Sequence, residues 1–232
     1  MKPTDRIFTA LDTTDVQVAV SLARDLAGYV GGVKVGKEFF TANGQDGVRQ
    51  VSGVGMPVFI DLKWHDIPNT VAGAVRASLA LKPAIVNVHA AGGPAMLRAA
   101  SDAAAEAGSE RPLVLAITVL TSLDDDDLRA IGVGSNVTAQ VVRLAKLAQD
   151  NGIDGVVCSA HEIEALREAC GRDFKLLVPG IRPTWAATGD QKRVMTPADA
   201  VARGADYLVI GRPITGADDP VDAAKRIADE LA

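Results

Sequence analysis

Aromatic residues are scarce in this chain, and it has no excess of basic residues. Of its 232 residues 4% are aromatic, and the formal net charge is −5. Proteins that bind nucleic acid usually carry a basic surface and aromatic side chains on which bases stack. The composition therefore predicts no nucleic-acid partner.

Cysteine is also rare. The chain has two, Cys158 and Cys170, without the close spacing of metal ligands. A secreted disulfide framework usually needs four or more. We therefore expect free thiols in a reducing compartment and no metal bound through cysteine.

Long apolar runs are missing as well. No stretch approaches 18 uncharged apolar residues, and Asp5 and Arg6 interrupt the first segment before the apolar part of a secretory leader could form. The sequence thus predicts a cytoplasmic protein with no membrane partner.

A regular alternation of short β-like runs and helical stretches fills the chain instead. The predicted strands are 7–11, 32–35, 58–62, 85–89, 113–120, 155–159, 175–178 and 207–210. The predicted helices are 16–26, 45–51, 69–79, 94–107, 138–149, 162–169, 197–203 and 222–231. Eight βα units without a Pro/Gly/Ser-rich linker favour an α/β fold, a single (β/α)8 TIM barrel domain over residues 1–232. A doubly wound sheet is the alternative.

Charged residues cluster at the end of the third predicted strand, in the segment FIDLKWHDIPNT at 59–70. Side chains alternate along a strand, so Asp61 and Lys63 share a face with Phe59. Side by side in a pocket of low dielectric, an Asp and a Lys keep each other ionised. The pair is either a structural ion pair at the sheet rim or part of a ligand site, and the following Asp66 favours a site.

Other predicted strands also end in polar residues. In a (β/α)8 barrel the active site lies at the carboxyl ends of the strands. The residues placed there are Asp12, Lys34, Asp61, Lys63, His89, Thr121 and Ser122. Because charges from separate strands meet only if the barrel closes, this pattern predicts one shared site.

The last two predicted strands lead into PGIRP and IGRP. Loops at these positions of a barrel often bind phosphate through backbone N–H groups. Gly211 would let the backbone approach an anion, and Arg212 could bind it through two parallel hydrogen bonds. The long connection 182–193 suits a mobile lid, from which Gln191 could bridge groups of the ligand.

An acidic run at 124–127 follows Ser122. Ser122, with Asp125 three residues later, predicts a helix cap at this point.

The chain resembles the bacterial orotidine 5′-monophosphate decarboxylase family over essentially its full length. The segment DLKWHDIPNT is similar to that family's D-x-K-x-x-D-I-x-N-T signature. Further similar blocks occur in order: LD at 11–12, KVG at 34–36, NVHAAGG at 87–93, TVLTS at 118–122, PGIRP at 179–183, GDQKR at 189–193 and IGRP at 210–213.

The resemblance implies decarboxylation of orotidine 5′-monophosphate to uridine 5′-monophosphate (UMP), the last step of de novo pyrimidine nucleotide synthesis, without metal or other cofactor. Lys63 would be the proton donor, in an alternating network with Lys34, Asp61 and Asp66.

The resemblance also implies roles in binding. Asp12 and Lys34 would hold the ribose hydroxyls, Thr121 would lie near the pyrimidine edge, and Pro179 would line the base pocket. Phosphate and lid positions would be Arg182, Gln191, Gly211 and Arg212. The family is a homodimer, so Asp66, Ile67 and Thr70 would complete the neighbouring subunit's site.

Two other functions remain open. One is a Mg²⁺-dependent relative of the same superfamily, a 3-keto-gulonate 6-phosphate decarboxylase or hexulose phosphate synthase. Lys34 argues against it, because that relative looks to carry a metal-binding Glu there. The other is a catalytically silent protein that binds nucleotide phosphate, since fold does not fix function. A lysine between two carboxylates argues against it.

Overall fold

The computed structural model describes residues 1–186 and 195–232, which form a closed barrel of eight parallel strands. Neighbouring strands pair in chain order, and the last pairs with the first. The strands are β1 Ile7–Ala10, β2 Gly32–Gly36, β3 Val58–Trp64, β4 Ile85–His89, β5 Leu113–Ile117, β6 Gly155–Val157, β7 Lys175–Pro179 and β8 Tyr207–Ile210. The predicted (β/α)8 barrel is confirmed, and the open sheet is wrong because the strands close on themselves.

Helices connect the strands. They are α1 Val16–Asp25, α2 Lys37–Ser52, α3 Pro68–Leu79, α4 Gly93–Ala105, α5 Asp125–Ala130, α6 Val137–Gln149, α7 Ile163–Cys170, α8 Pro197–Arg203, α9 Arg212–Thr215 and α10 Pro220–Asp229. All eight predicted helices are present. Two short helices were not among these eight: α9 was not predicted, and for α5 only a cap was. Helix α2 begins eight residues earlier than predicted and kinks at Gly44.

Short polar residues fix several helix starts. The side chains of Asp15, Asn136, Thr196 and Asp219 each accept a backbone N–H of the first turn. Helix α5 is capped by Asp124, and Asp127 returns the bond by accepting the Asp124 N–H. The predicted cap at Ser122 was therefore wrong by two residues.

Two apolar layers build the core. The larger layer lies between barrel and helices and includes Ile7, Leu11, Val33 and Ile60. A smaller cluster fills the barrel interior: Phe8, Ala10, Phe59, Ile85, Leu115, Leu177 and Val209. On β3 and β4 the next residues on the inward face are polar, Asp61 and Asn87. The apolar interior therefore stops where polar side chains begin, at the carboxyl ends of the strands.

Within the described ranges, none of the helices combines the length and the apolar character needed to span a bilayer.

Candidate active site

A chain of alternating charges lies at the ends of β1, β2 and β3. Lys63 Nζ is 2.6 Å from Asp61 Oδ1, and Lys34 Nζ is 3.4 Å from Asp61 Oδ2. Lys34 Nζ also lies 3.2 Å from Asp12 Oδ1. The structure thus brings together four residues predicted for the site, in the order Asp12, Lys34, Asp61, Lys63.

The middle of this chain is largely buried, whereas the Asp12 side chain at one end is 59% exposed. Lys34 is 8% exposed. Desolvation alone would raise the pKa of Asp61, but the two lysines and the hydrogen bonds from Lys63 and Asn87 outweigh it, so the pKa lies below its usual 3.8. Asp61 is therefore a carboxylate at neutral pH.

Gly36 keeps space open beside this chain. A Cβ built on it would lie 3.2 Å from Lys34 Nζ and 3.4 Å from Asp12 Oδ1. A larger residue would press on both partners of that ion pair.

The backbone of Lys63 adopts an unusual conformation. Its φ is +56°, in the left-handed region that side-chain-bearing residues rarely occupy. The pairing of β3 with β4 shifts register between Ile60 and Trp64, so the regular ladder is interrupted at this residue. Backbone outliers of this kind concentrate at functional sites.

Asn87 on β4 contacts both ends of the Asp61–Lys63 pair. It accepts the Lys63 N–H at 2.8 Å, and its Nδ2 donates to Asp61 Oδ1 at 2.7 Å. Asn87 was not predicted as a site residue from the sequence. The available signal was an amide in a buried strand, two residues before His89 and hence on the same inward face.

Two histidines stack beside Lys63. The rings of His65 and His89 lie 5.2 Å apart with 28° between their planes. The pKa of His89 is lowered to about 4, first by burial and then by His65, Lys37 and Lys63. His89 is therefore neutral at physiological pH.

Arginines occupy the rim after β7 and β8. Arg182 and Arg212 line one cavity of about 300 Å³ together with Trp185. Arg182 is buried, and its backbone N–H bonds to the Met195 carbonyl at 3.1 Å. Pro179 ends β7, and Gly211 directly precedes α9. Because β8 pairs with β1, this cavity and the charged chain share one rim.

Trp185 ties the segment after β7 to the last helix. Its indole N–H donates to Glu230 at 3.1 Å, and the Arg226 guanidinium lies 4.1 Å from the ring centre. Gln191 and most of the predicted lid lie outside the described residues.

The connection from β3 to α3 does not fold back onto Lys63. Asp66, Ile67 and Thr70 are all exposed, Ile67 to 66%. Asp66 accepts the N–H of Ile67 and forms no ion pair with any residue in the described ranges. Thr121 is also exposed, in the turn that follows β5. The predicted contact between Asp66 and Lys63 is therefore not made within one chain.

In the ranges 1–186 and 195–232, no three His, Cys, Asp or Glu side chains are grouped so as to hold a metal ion.

Fold and site together define a class: a (β/α)8-barrel protein with an alternating lysine–carboxylate centre and a two-arginine cavity on the carboxyl-end rim. A sequence model described as "Orotidine 5'-phosphate decarboxylase / HUMPS family" matches residues 5–227. The chain belongs to this family.

Similar proteins within this family carry the name orotidine 5′-phosphate decarboxylase. The chain is 56% identical over 229 residues to an orotidine 5′-phosphate decarboxylase of Paramagnetospirillum magneticum, covering 97% of each chain. It is 57% identical to the protein of the same name in Rhodospirillum rubrum, covering 97% of this chain and 93% of that one. A crystal structure of orotidine 5′-phosphate decarboxylase from Lactobacillus acidophilus superposes with a TM-score of 0.86 at 37% identity, covering 97% of this chain and 98% of that one.

Proposed function

We propose that this chain is an enzyme that decarboxylates orotidine 5′-monophosphate to UMP, the last step of de novo pyrimidine nucleotide synthesis. The observation that carries the proposal is the Lys63 ammonium, 2.6 Å from a partly buried, ionised Asp61 at the carboxyl-end rim. The names of its relatives support the same substrate.

The reaction needs strong stabilisation of a carbanion. When the bond from C6 of the pyrimidine to the carboxylate breaks, CO2 leaves and C6 keeps the electron pair, with no adjacent carbonyl to delocalise it. Enzymes lower barriers by roughly 8–23 kcal/mol, and this reaction should need the upper part of that range.

Lys63 can meet this need in two ways. Its ammonium, held in place before the reaction, stabilises negative charge as it develops at C6. It then gives a proton to C6 as general acid and regains one from solvent. Asp61 holds this ammonium at 2.6 Å, and Lys34 pairs with the second oxygen of Asp61 at 3.4 Å. In this scheme the chain's own residues carry every step, so the proposal includes no cofactor.

The remaining site residues would bind the nucleotide. We assign the ribose hydroxyls to Asp12 and Lys34, the pyrimidine edge to Thr121, and the base pocket to Pro179. The phosphate would lie with Arg182, Gly211, Arg212 and Gln191, which is supported by the two guanidinium groups that share one cavity.

The active unit would be a homodimer in which Asp66, Ile67 and Thr70 complete the partner's site. Two features support this: Asp66 has no charged partner within its own chain's described residues, and the apolar Ile67 beside it is exposed. The dimer, a single catalytic domain over residues 1–232, and the cytoplasmic location stay predictions.

The Mg²⁺-dependent alternative fits the site less well. The family description covers more than one activity, so it does not choose between them. Lys34 argues against the Mg²⁺-dependent activity, because its ammonium lies between Asp12 and Asp61, the carboxylates that a metal cation would need.

The test is the ultraviolet absorbance of orotidine 5′-monophosphate incubated with the purified protein in EDTA. We expect conversion to UMP by the wild type and by Lys82→Ala, an exposed lysine control, and none by Lys63→Ala. Turnover of a phosphosugar only when Mg²⁺ is present, with no change in orotidine 5′-monophosphate, would move the chain to its metal-dependent relatives.

A further inference from the structure

We infer that Asn87 is a positioning residue of this site, whose carboxamide simultaneously orients the Asp61 carboxylate and holds the Lys63 backbone in its left-handed conformation. The inference deepens the proposed function and rests on it for its kinetic readout.

The contacts of Asn87 use both ends of the amide. Its oxygen accepts the Lys63 N–H at 2.8 Å, where the register shift leaves β3 without its regular ladder. Its nitrogen donates to Asp61 Oδ1 at 2.7 Å, the same oxygen that accepts from Lys63 Nζ at 2.6 Å. Two atoms of the Asp61–Lys63 pair, Lys63 N and Asp61 Oδ1, are thereby held by one residue of β4.

The two hydrogen-bond partners of Asn87 determine which end of its amide faces each of them. A backbone N–H can only donate, and an ionised carboxylate can only accept. One side chain that satisfies both must carry an acceptor and a donor at a fixed separation. Because Asn87 is 0% exposed, water cannot readily replace either bond.

Other residues fail at this position for separate reasons. Aspartate could still accept the Lys63 N–H, but it could not donate to Asp61 and would place a second carboxylate against it. Serine adds no charge, but its side chain is too short to span both groups. Leucine would leave the Lys63 N–H without its partner and would remove one of the two hydrogen bonds that Asp61 Oδ1 accepts.

The contacts of Asn87 should affect the chemical step more than the binding of the nucleotide. Asn87 lies in the barrel interior behind Asp61 and Lys63, and it does not line the two-arginine cavity. A small rotation of the Lys63 ammonium would weaken an interaction that develops only in the transition state. Changes at Asn87 should therefore lower kcat and leave nucleotide affinity nearly unchanged.

The experiment compares Asn87→Asp and Asn87→Ser with Asn136→Asp. The control makes the same chemical change at the exposed cap of α6, where aspartate caps equally well. We measure kcat for orotidine 5′-monophosphate across pH, the dissociation constant of UMP by calorimetry, and the melting temperature.

The expected result is a roughly 10- to 100-fold lower kcat in both Asn87 variants, the effect of losing a hydrogen bond to a charged group, with UMP affinity within about threefold of wild type. In Asn87→Asp the acid limb of the pH profile moves to higher pH, since two adjacent carboxylates bind a proton more readily. Asn136→Asp matches the wild type. An unchanged kcat, or a loss of kcat and UMP affinity in equal proportion, overturns the inference.

One readout does not depend on turnover. Competitive acetylation of lysines across pH, followed by mass spectrometry, reports the reactivity of Lys63 with no nucleotide present. Its profile should shift in Asn87→Ser, which adds no charge, while that of Lys82 stays constant. If the wild type fails to decarboxylate the nucleotide but Lys63 still shifts, the proposed function fails and the positioning role stands. A constant Lys63 profile rejects the positioning role.

Discussion

Lys63 carries its ammonium on a backbone with φ of +56°. The left-handed conformation costs a side-chain-bearing residue roughly 1–2 kcal/mol, whereas glycine adopts it freely. Glycine also gives the unfolded chain more freedom, which costs roughly 0.4–1 kcal/mol. We therefore expect Lys63→Gly to unfold at a higher temperature than Lys63→Ala, by roughly 0.5–1 kcal/mol in the free energy of unfolding.

Calorimetry of both variants checks this order, and Lys82 provides the matched control. Lys82 has φ of +48° and lies on the surface, paired with Glu110. Lys82→Gly should likewise be more stable than Lys82→Ala. If glycine is favoured at 82 but not at 63, the conformation of Lys63 is not under strain.

His89 should make stability depend on pH. Its pKa is about 4 in the folded protein, against 6.5 for an ordinary histidine. Between these values the unfolded chain binds a proton that the folded chain does not, so stability is full above pH 6.5 and falls as the pH drops toward 4. Replacing His89 by glutamine removes this contribution.

The check is the loss in melting temperature between pH 7 and pH 4.5. It should be smaller for His89→Gln than for the wild type, whereas His161→Gln, which alters an exposed histidine, should match the wild type. An equal loss in all three proteins would mean that His89 binds its proton as easily when folded as when unfolded.

Alternation along a strand was enough to place Asp61 and Lys63 on one face, and the structure brings them to 2.6 Å. Lys34 was predicted for the site from its place on the second strand of a closed barrel, and it contacts Asp61 from that neighbouring strand. Neither Asn87 nor the backbone of Lys63 was predicted. A positive φ at lysine leaves no trace in hydrophobic periodicity, and the need for a buried amide becomes visible only when two strands are side by side.

At the scale of elements, sequence periodicity located every strand and misplaced several ends. The fifth strand was predicted to reach residue 120 but ends at Ile117, because Val119 and Leu120 extend the largely apolar run past the last ladder bond. The second helix was predicted from 45, yet it begins at Lys37, since Gly44 interrupts the pattern without ending the helix. Apolar runs indicate burial, and glycines indicate local backbone freedom. Neither shows where the backbone hydrogen bonds of a strand or helix end.

The ends of β7 and β8 should act together on the phosphate. Arg212→Ala removes one of two guanidinium groups from the cavity, so we expect KM for orotidine 5′-monophosphate to rise roughly 10- to 100-fold. Orotidine, which lacks the phosphate, should be turned over at nearly the same low rate by variant and wild type. Steady-state kinetics on both substrates measures this.

The control for that variant is Arg203→Ala, an exposed arginine that pairs with Glu164. It should leave both substrates unaffected. An Arg212→Ala enzyme that loses activity toward orotidine as strongly as toward the nucleotide would place Arg212 outside the phosphate site.

At the scale of the whole molecule, one chain leaves Asp66 away from Lys63. If the partner supplies Asp66, a mixture of inactive Lys63→Ala and Asp66→Ala subunits forms mixed dimers with one intact site each. Random assembly should then restore about a quarter of wild-type activity. Activity after mixing and re-association of the subunits is the measurement.

A second mixture distinguishes shared sites from other forms of rescue. Lys63 and Lys34 belong to the same chain's charge series, so Lys63→Ala mixed with Lys34→Ala should recover nothing. No recovery in the first mixture would place each complete site within a single chain. Recovery in the second mixture would mean that the rescue does not depend on sharing Asp66.

The apolar cluster inside the barrel limits how substrate can enter the site and how products can leave it. Phe8, Phe59, Ile85 and their neighbours close the interior below Asp61 and Asn87, so the rim is open on one side only. Under the proposed function the nucleotide enters, and UMP and carbon dioxide leave, through the same opening. UMP then occupies the opening that the incoming substrate needs, so we expect UMP to inhibit the reaction competitively.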